Sequence, residues 1–306
     1  MAAVVVTGAS GFVGSSLMKE LRLRDISSKG FSRTQSHHLI QIPSYNSDVD
    51  WDPHLHGASA IIHLAARVHV MTERASDPLL EFRQANVDAT MHLARAAARA
   101  GVRRFVFVST IKVNGERTLP GRPFTADDPP RPQGPYSISK AEAEAALFAL
   151  GRETGMDITI IRPPLVYGPG VRGNFRSLMK WAASGAPSIF SAVHNRRSFV
   201  HVSNLCDLLI TVTDHPKAAN KVFLVSDGCD LSTDELLTQL TAAADRLPRS
   251  LPVPPVLIRA LGRFTGRSEA VARLVEDLQV DITKTCGTLD WTPPITAADA
   301  LTLSMR

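Results

Sequence analysis

The sequence predicts an α/β fold with a parallel, doubly wound sheet, and two observations carry that prediction. Apolar runs of four or five residues, at 2–6, 60–64, 105–108 and 158–162, alternate with stretches of helical spacing. The first run leads directly into Thr7-Gly8-Ala9-Ser10-Gly11-Phe12-Val13-Gly14, with three glycines at three-residue intervals ahead of a helical segment. This is a Rossmann-like pattern, and ligands are expected outside the carboxyl ends of its strands. Beyond Gly170 the rhythm changes, and a smaller mixed α/β C-terminal lobe is expected to cover that edge.

The elements can be justified in order. Residues 2–6 are valine-rich, as in a strand buried on both faces. Leu17, Leu21 and Leu23 give residues 15–23 a weak helical pattern. A short second strand is expected at 30–32, then an irregular polar loop with a strand fragment over 34–53. AIIHL (60–64) is the third strand, ending at Ala65-Ala66. Residues 78–100 read as one long helix stopped by Gly101. FVFV (105–108) is the fourth strand and ends at Ser109-Thr110. Residues 115–135 are rich in proline and glycine and have neither period; so long a loop is usually functional. A helix over 136–153 and a strand at 158–162 complete the first half. In the second half helices are expected at 174–184 and 203–214, and short strands at 198–202 and 222–225. Ser232-Thr233-Asp234-Glu235 reads as a capping box, and a proline-rich connector at 248–255 precedes a mainly helical tail.

Composition removes several classes of function. With 306 residues, 44% hydrophobic and 21% charged, the chain can bury a large core. Cys206, Cys229 and Cys286 are far apart and form no CxxC pair, so neither a disulfide framework nor a zinc site is indicated, and a reducing compartment, the cytoplasm, is expected. Ten histidines include no HExxH, so no metal site is expected; His63 and His201 lie in apolar strand contexts and read as core residues. No basic n-region precedes the first apolar run, which therefore reads as a strand rather than a signal peptide. No run approaches the length of a membrane span, and no membrane partner is expected. The formal charge of +5 is modest and the arginines look scattered, which suits a pocket for an anionic small molecule and gives no basic stripe for nucleic acid.

Two constellations carry chemistry. Glycines that let backbone approach a pyrophosphate, at the N-terminus of a helix, make a phosphate cradle, although glycine also serves ordinary tight turns. Tyr136 and Lys140 lie four residues apart, on one face of a helix. An ammonium beside a phenol is expected to lower its pKa from about 10 and make it a usable acid or base. Thr110, at the mouth of a neighbouring strand, can hydrogen-bond the reacting oxygen.

TGASGFVG, HLAA (63–66), Asn86-Val87, the Ser109-Thr110 strand end, YSISK and RPPLVYGPG (162–170) together resemble the extended short-chain dehydrogenase/reductases, in particular their nucleotide-sugar epimerase/dehydratase branch. The resemblance covers nearly the whole chain. It implies a dinucleotide-binding domain over 1–168, with 198–226 returning to it, and a mainly substrate-binding lobe over 169–306. It implies NAD or NADP held by Gly8, Gly11, Phe12, Val13, Gly14, Asp48, Val49, Leu64, Ala65, Ala66, Asn86, Lys140, Pro163 and Val166. Thr110, Tyr136 and Lys140 take the catalytic places. Thr110, Asn174 and Arg197, with Arg273 a weaker candidate, take places that contact a UDP-sugar. A homodimer through helices including that of Tyr136 is common among such proteins, and Ala141, Ala145 and Ala149 would allow close helix packing.

Departures from the pattern bear on the reaction. Dehydratases of this branch carry Thr-Asp-Glu after the fourth strand, whereas Thr110 is followed by Ile111 and Lys112, so 4,6-dehydration is not expected. Leu165 stands where several epimerases have an asparagine. The second strand ends at Ser32-Arg33 with no carboxylate to accept a ribose hydroxyl, and Arg33 suits the 2′-phosphate of NADP. The leading expectation is therefore reduction of a 4-keto-sugar in surface-polysaccharide precursor synthesis. The alternative is a UDP-sugar 4-epimerase with tightly bound NAD. A non-catalytic NADP-binding sensor is a remote third reading, because the chain keeps Tyr136 and Lys140.

Overall fold

The computed structural model describes residues 3–36, 38–43, 45, 49–68 and 77–305. Strand β1 (Ala3–Thr7) is buried throughout and runs into helix α1 (Phe12–Leu23). Then follow β2 (Ser28–Ser32), the two-residue β3 (Ile40–Gln41), the single turn α2 (Asp52–Leu55) and β4 (Ala58–His63). Helix α3 (Pro78–Arg83) passes through a π turn (Gln84–Asp88) into α4 (Ala89–Arg99), so the long helix expected at 78–100 is interrupted. Strand β5 (Arg104–Val108) is followed by a 3₁₀ turn (Ile111–Val113), and the long loop beyond it leads to α5 (Pro135–Thr154) and β6 (Asp157–Arg162).

These strands and one later arrival, β9 (Lys221–Leu224), form a seven-stranded sheet in the order β3-β2-β1-β4-β5-β6-β9. Every pairing in it is parallel. The chain leaves β1 in one direction to β2 and later returns on its other side as β4. This reversal opens a crevice at the carboxyl end of β1, where a doubly wound sheet takes its ligand.

The pleat sorts the core into two layers. Val5, Ile61, Phe105 and Ile158 face α4 and α5, against Leu93, Ala97, Ala143 and Leu147. Val4, Val6, Ile62 and Val106 face the other way, onto Leu17 and Leu21 of α1 and Leu205 and Leu209 of α7 (Val202–Asp214). Each such buried side chain contributes roughly 1.5–3 kcal/mol, so the strands are apolar on both faces rather than alternating.

The second half builds a lobe with its own small mixed sheet of three strands. Strand β7 (Leu165–Tyr167) pairs parallel with β8 (Arg197–His201), which pairs antiparallel with β10 (Asp230–Leu231). Within 198–226, therefore, β9 and α7 lie with the large sheet while β8 belongs to the small one. Strand β7 follows Pro163-Pro164, a signal that masked it in the sequence. Helix α6 (Asn174–Ser184) packs on α8 (Thr233–Ala243), whose capping box between Ser232 and Glu235 is formed as expected. Helices α9 (Pro255–Phe264), α10 (Ser268–Val275), α11 (Thr283–Leu289) and α12 (Ala297–Met305) finish the chain. Among the described residues no helix is long and apolar enough to cross a membrane.

Candidate active site

The glycine turn is as tight as its spacing suggests. Gly8 has φ +69°, and a Cβ there would lie 2.8 Å from the Ala65 backbone nitrogen. Gly11 N donates to Gly8 O at 2.9 Å, and a Cβ on Gly14 would collide with the same carbonyl oxygen. Helix α1 thus starts hard against the end of β1. Gly11 is its N-cap, no side chain caps it, and its first turn contains no acidic residue. Its leading N–H groups and dipole are left for an outside anion, which is how the residues present fit a dinucleotide pyrophosphate. The facing wall is β4: Thr7 Oγ1 bonds His63 Nδ1 at 2.7 Å, and Leu64 N donates to Thr7 O at 3.2 Å. Burial holds His63 neutral, with its pKa lowered to about 3, so it is the core residue the sequence suggested.

At the end of β2 a small hydroxyl cluster has formed. Ser32 Oγ donates to Ser10 Oγ at 2.7 Å and accepts from Thr34 N at 3.1 Å, and Arg33 beside them is exposed. No local pattern signals Tyr45, whose hydroxyl accepts from Gly8 N at 2.8 Å and donates to Phe31 O at 2.7 Å. Burial pushes this phenol up to about 12, so it ties the ends of β1 and β2 together as a neutral group. Val49 is buried in the core, and Asp48 lies outside the described residues.

Helix α5 brings the second constellation to the same edge. It packs against the 3₁₀ turn after β5, and Thr110 opens that turn by accepting from Lys112 N at 3.3 Å. Tyr136 sits in the first turn of α5, its ring 6.1 Å from that of Phe82. Lys140, one turn on, is fully buried with Nζ 3.7 Å from the centre of the Phe107 ring. Burial lowers its pKa to about 7, against the pull of Glu144. Burial also pushes Tyr136 up to about 12. The expectation that the ammonium lowers the phenol is therefore corrected for the protein without ligand, where desolvation dominates. As it stands, Tyr136 is a proton donor. Beside Thr110, the Ser109 hydroxyl is buried with no hydrogen-bond partner among the described residues, an open polar atom at the strand's end.

Glu144 extends the same helix face by one more turn, a repeat of the four-residue spacing that could have flagged it. It takes a forked contact from Arg162 at the end of β6, and Arg162 Nη1 also donates to Asn114 Oδ1 at 3.0 Å. Asn114 Nδ2 in turn donates to Thr125 O at 2.9 Å, anchoring the long loop. Asn86, inside the π turn, accepts from Arg67 N at 2.8 Å and donates to Arg67 O and to Ser139 Oγ, both at 3.0 Å. Its amide is thus engaged in holding the segment after β4 against α5. Pro163, Val166 and the half-exposed Leu165 follow β6 at the same edge, and Pro163 O accepts from Ile111 N at 2.9 Å. Neither Ile111 nor Lys112 supplies a carboxylate; Lys112 pairs instead with Glu116 at 2.8 Å.

In the lobe, Asn174 is the exposed first residue of α6. Arg197, at the start of β8, donates to Glu276 O at 2.9 Å. Burial lowers it to about 10, with Arg273 adding repulsion and Glu276 opposing it, so it stays charged at neutral pH. Arg273 is near enough to repel it, while the carboxylates of Glu276, Asp277 and Glu116 act in the opposite sense.

A phosphate cradle and a tyrosine–lysine helix on one sheet edge define a nicotinamide-dinucleotide enzyme of the extended short-chain dehydrogenase/reductase type. The chain belongs to the NAD dependent epimerase/dehydratase family, whose profile matches residues 4–226. It is 44% identical over 299 residues to a UDP-glucose 4-epimerase of Vibrio cholerae, covering 96% of this chain and 91% of that one. It is 27% identical over 299 residues to an N-acetyl-alpha-D-glucosaminyl-diphospho-ditrans,octacis-undecaprenol 4-epimerase of Escherichia coli O157:H7, covering 93% and 86%. Among solved structures it resembles UDP-N-acetylglucosamine 4-epimerase from Bacillus cereus, with a TM-score of 0.82 at 19% identity over 100% of this chain and 98% of that one; this likeness speaks to the fold.

Proposed function

We propose that the protein moves hydride at C4 of a UDP-linked hexose or N-acetylhexosamine, and that it does so as a 4-epimerase. The observation that carries this reading is the placing of Thr110, Tyr136 and Lys140 beside the glycine cradle, with no carboxylate at 111 or 112 to drive elimination. The kinship with the Vibrio cholerae enzyme moves 4-epimerisation ahead of the reductase reading that the sequence favours.

The roles follow from the chemistry of each group. A bound nicotinamide supplies the acceptor and donor of hydride. Gly8, Gly11, Phe12, Val13 and Gly14 hold the pyrophosphate, Val49 lies on the adenosine side, Leu64, Ala65 and Ala66 line the cofactor, and Pro163 and Val166 flank the nicotinamide. Asp48 joins the adenosine side in the same scheme. Lys140 holds the nicotinamide ribose and sets the charge around Tyr136. Thr110 hydrogen-bonds the sugar O4, while Tyr136 exchanges its proton. A phenol held near 12 by burial is ready to donate, and positive charge beside it is what turns it into a base. Epimerisation requires the 4-keto sugar to present both faces, while Asn174 and Arg197 keep its diphosphate in the lobe. The labour divides between residues 1–168 with 198–226, which bind the dinucleotide, and the remainder of 169–306, which binds the sugar nucleotide. Ala145 is exposed on α5 with Ala141 and Ala149 half-buried, which supports a homodimer across that helix, in the cytoplasm.

The 4-keto-reductase reading stays in play on one observation, the exposed Arg33 beside the Ser10, Ser32 and Thr34 hydroxyls. These groups suit a 2′-phosphate, and a carboxylate there would repel it. One experiment separates the readings: UDP-sugars and their 4-keto-6-deoxy forms are incubated with and without NADPH, following cofactor consumption and product configuration. Interconversion of UDP-sugars at C4 without added reductant is the expected result. Stoichiometric NADPH consumption on the keto sugar, with no interconversion, overturns the epimerase reading. In that event Arg33→Ser weakens NADPH far more than NADH, and equal loss of both removes the argument from that residue.

A further inference from the structure

Residues 246–268, RLPRSLPVPPVLIRALGRFTGRS, hold five arginines and no aspartate or glutamate. The whole chain has 34 basic and 29 acidic residues, so this one segment accounts for the entire formal excess of +5. The same segment is apolar at its surface. Among the described residues twelve large hydrophobic side chains are exposed, and six of them are Leu247, Leu251, Val256, Leu257, Leu261 and Phe264. Scattered apolar exposure is ordinary, but a contiguous group marks a contact surface.

Helix α9 rests on the lobe by one side. Ile258 is buried among Phe190, Val193, Leu237 and Val275. One turn on, Gly262 lies so close to α10 that a Cβ would sit 2.7 Å from Val271 Cγ2. Val256, Leu257, Leu261 and Phe264 fall on the outer side of the helix, Val256 72% and Phe264 91% exposed. Arg259 and Arg263 form a flank between the two sides, and Arg267 follows the last turn; all three are exposed. The acidic neighbour on α10, Glu269, pairs with Arg273 at 3.3 Å and leaves this flank uncompensated.

We propose that this face of α9 docks on an anionic bilayer surface, its four apolar side chains entering the headgroup boundary while the arginines meet lipid phosphates. A helix of ten residues is about 15 Å long, enough to lie in the interface and too short to span it. The expectation of no membrane contact rested on span length, which does not bear on a surface helix. Charge complementarity selects the occupant. A second copy seated on the same patch across a two-fold axis would set these arginines against their own counterparts, whereas anionic lipid satisfies both the apolar centre and the basic rim. A nucleic acid would meet apolar side chains where it needs cations.

The test sediments the full-length protein with phosphatidylglycerol vesicles and with phosphatidylcholine vesicles, at low and high salt. The double variants L257S/F264S and R259S/R263S run alongside, with circular dichroism and thermal melting confirming that both fold. The wild type is expected to sediment with phosphatidylglycerol, to be released by salt and to ignore phosphatidylcholine. Each arginine removed lowers partitioning about fivefold, and L257S/F264S lowers it about tenfold or more. No sedimentation with phosphatidylglycerol, equal sedimentation with both lipids, or binding unchanged in the folded variants overturns the proposal. So does a wild-type dimer in light scattering that L257S/F264S dissociates while vesicles leave the protein in solution, since the occupant is then a second copy.

Discussion

Replacing Lys140 by methionine tests the electrostatics of the site without any ligand. The ammonium is fully buried over the Phe107 ring, and burial lowers its pKa from an ordinary 10.5 to about 7. Above pH 7 the folded lysine becomes neutral while the unfolded one stays charged to about pH 10.5. The unfolded state then binds more protons, so stability rises with pH. The full shift corresponds to about 5 kcal/mol against the folded state at low pH, and the slope through this window is about 1.4 kcal/mol per pH unit. Methionine keeps an unbranched stem of similar length and cannot titrate. Urea unfolding of cofactor-free wild type and K140M at pH 7, 8 and 9 isolates the effect, because every other titrating group is common to both. The wild type is expected to gain about 2 kcal/mol on K140M between pH 7 and 9. A difference that is flat, or that falls with pH, would refute the reasoning.

Three other outcomes follow from the geometry. Glu144→Gln leaves Arg162 buried without its counter-charge and is expected to cost about 3 kcal/mol in urea unfolding, with part of the loss restored by adding Arg162→Met; a strictly additive pair of losses would contradict the coupling. Tyr136→Phe is expected to lower kcat by about 10²–10⁴ while leaving dinucleotide binding, followed by fluorescence or calorimetry, unchanged. Gly14→Ala drives a methyl group into the Gly8 carbonyl and is expected to abolish dinucleotide binding in a protein that still shows a cooperative, if lower, melting transition.

The fold was largely legible because strands buried on both faces write themselves as unbroken apolar runs. Residues 105–108 fall within the observed β5, and 60–64 overlaps β4 with only Leu64 beyond its end. What escaped has physical reasons. Strand β7 follows two prolines, and its pairing with β8 joins segments some thirty residues apart, so no local pattern marks it. The cradle and the tyrosine–lysine pair were legible because their chemistry fixes their spacing. Tyr45 was not, since its value lies in reaching Gly8 across 37 positions. Nor does a sequence weigh burial against charge, which is why Tyr136 is shifted upward in the free protein where the tyrosine–lysine spacing alone points downward.

The π turn at Gln84–Asp88 has a bearing on how the chain tolerates a change in length. Such a turn amounts to one residue more than an α-helix needs. Excising a single residue from it would leave the helix continuous, and by hydrogen bonding alone more regular. Because the turn absorbs its extra residue locally, α3 and α4 would keep their faces, while the re-formed turn would carry Asn86 away from Arg67 and Ser139. A shortened homologue could therefore fold with every strand in place yet lose the brace between the segment after β4 and the helix that carries Tyr136. In an alignment such a gap would look harmless, a lone deletion between two well-matched helices.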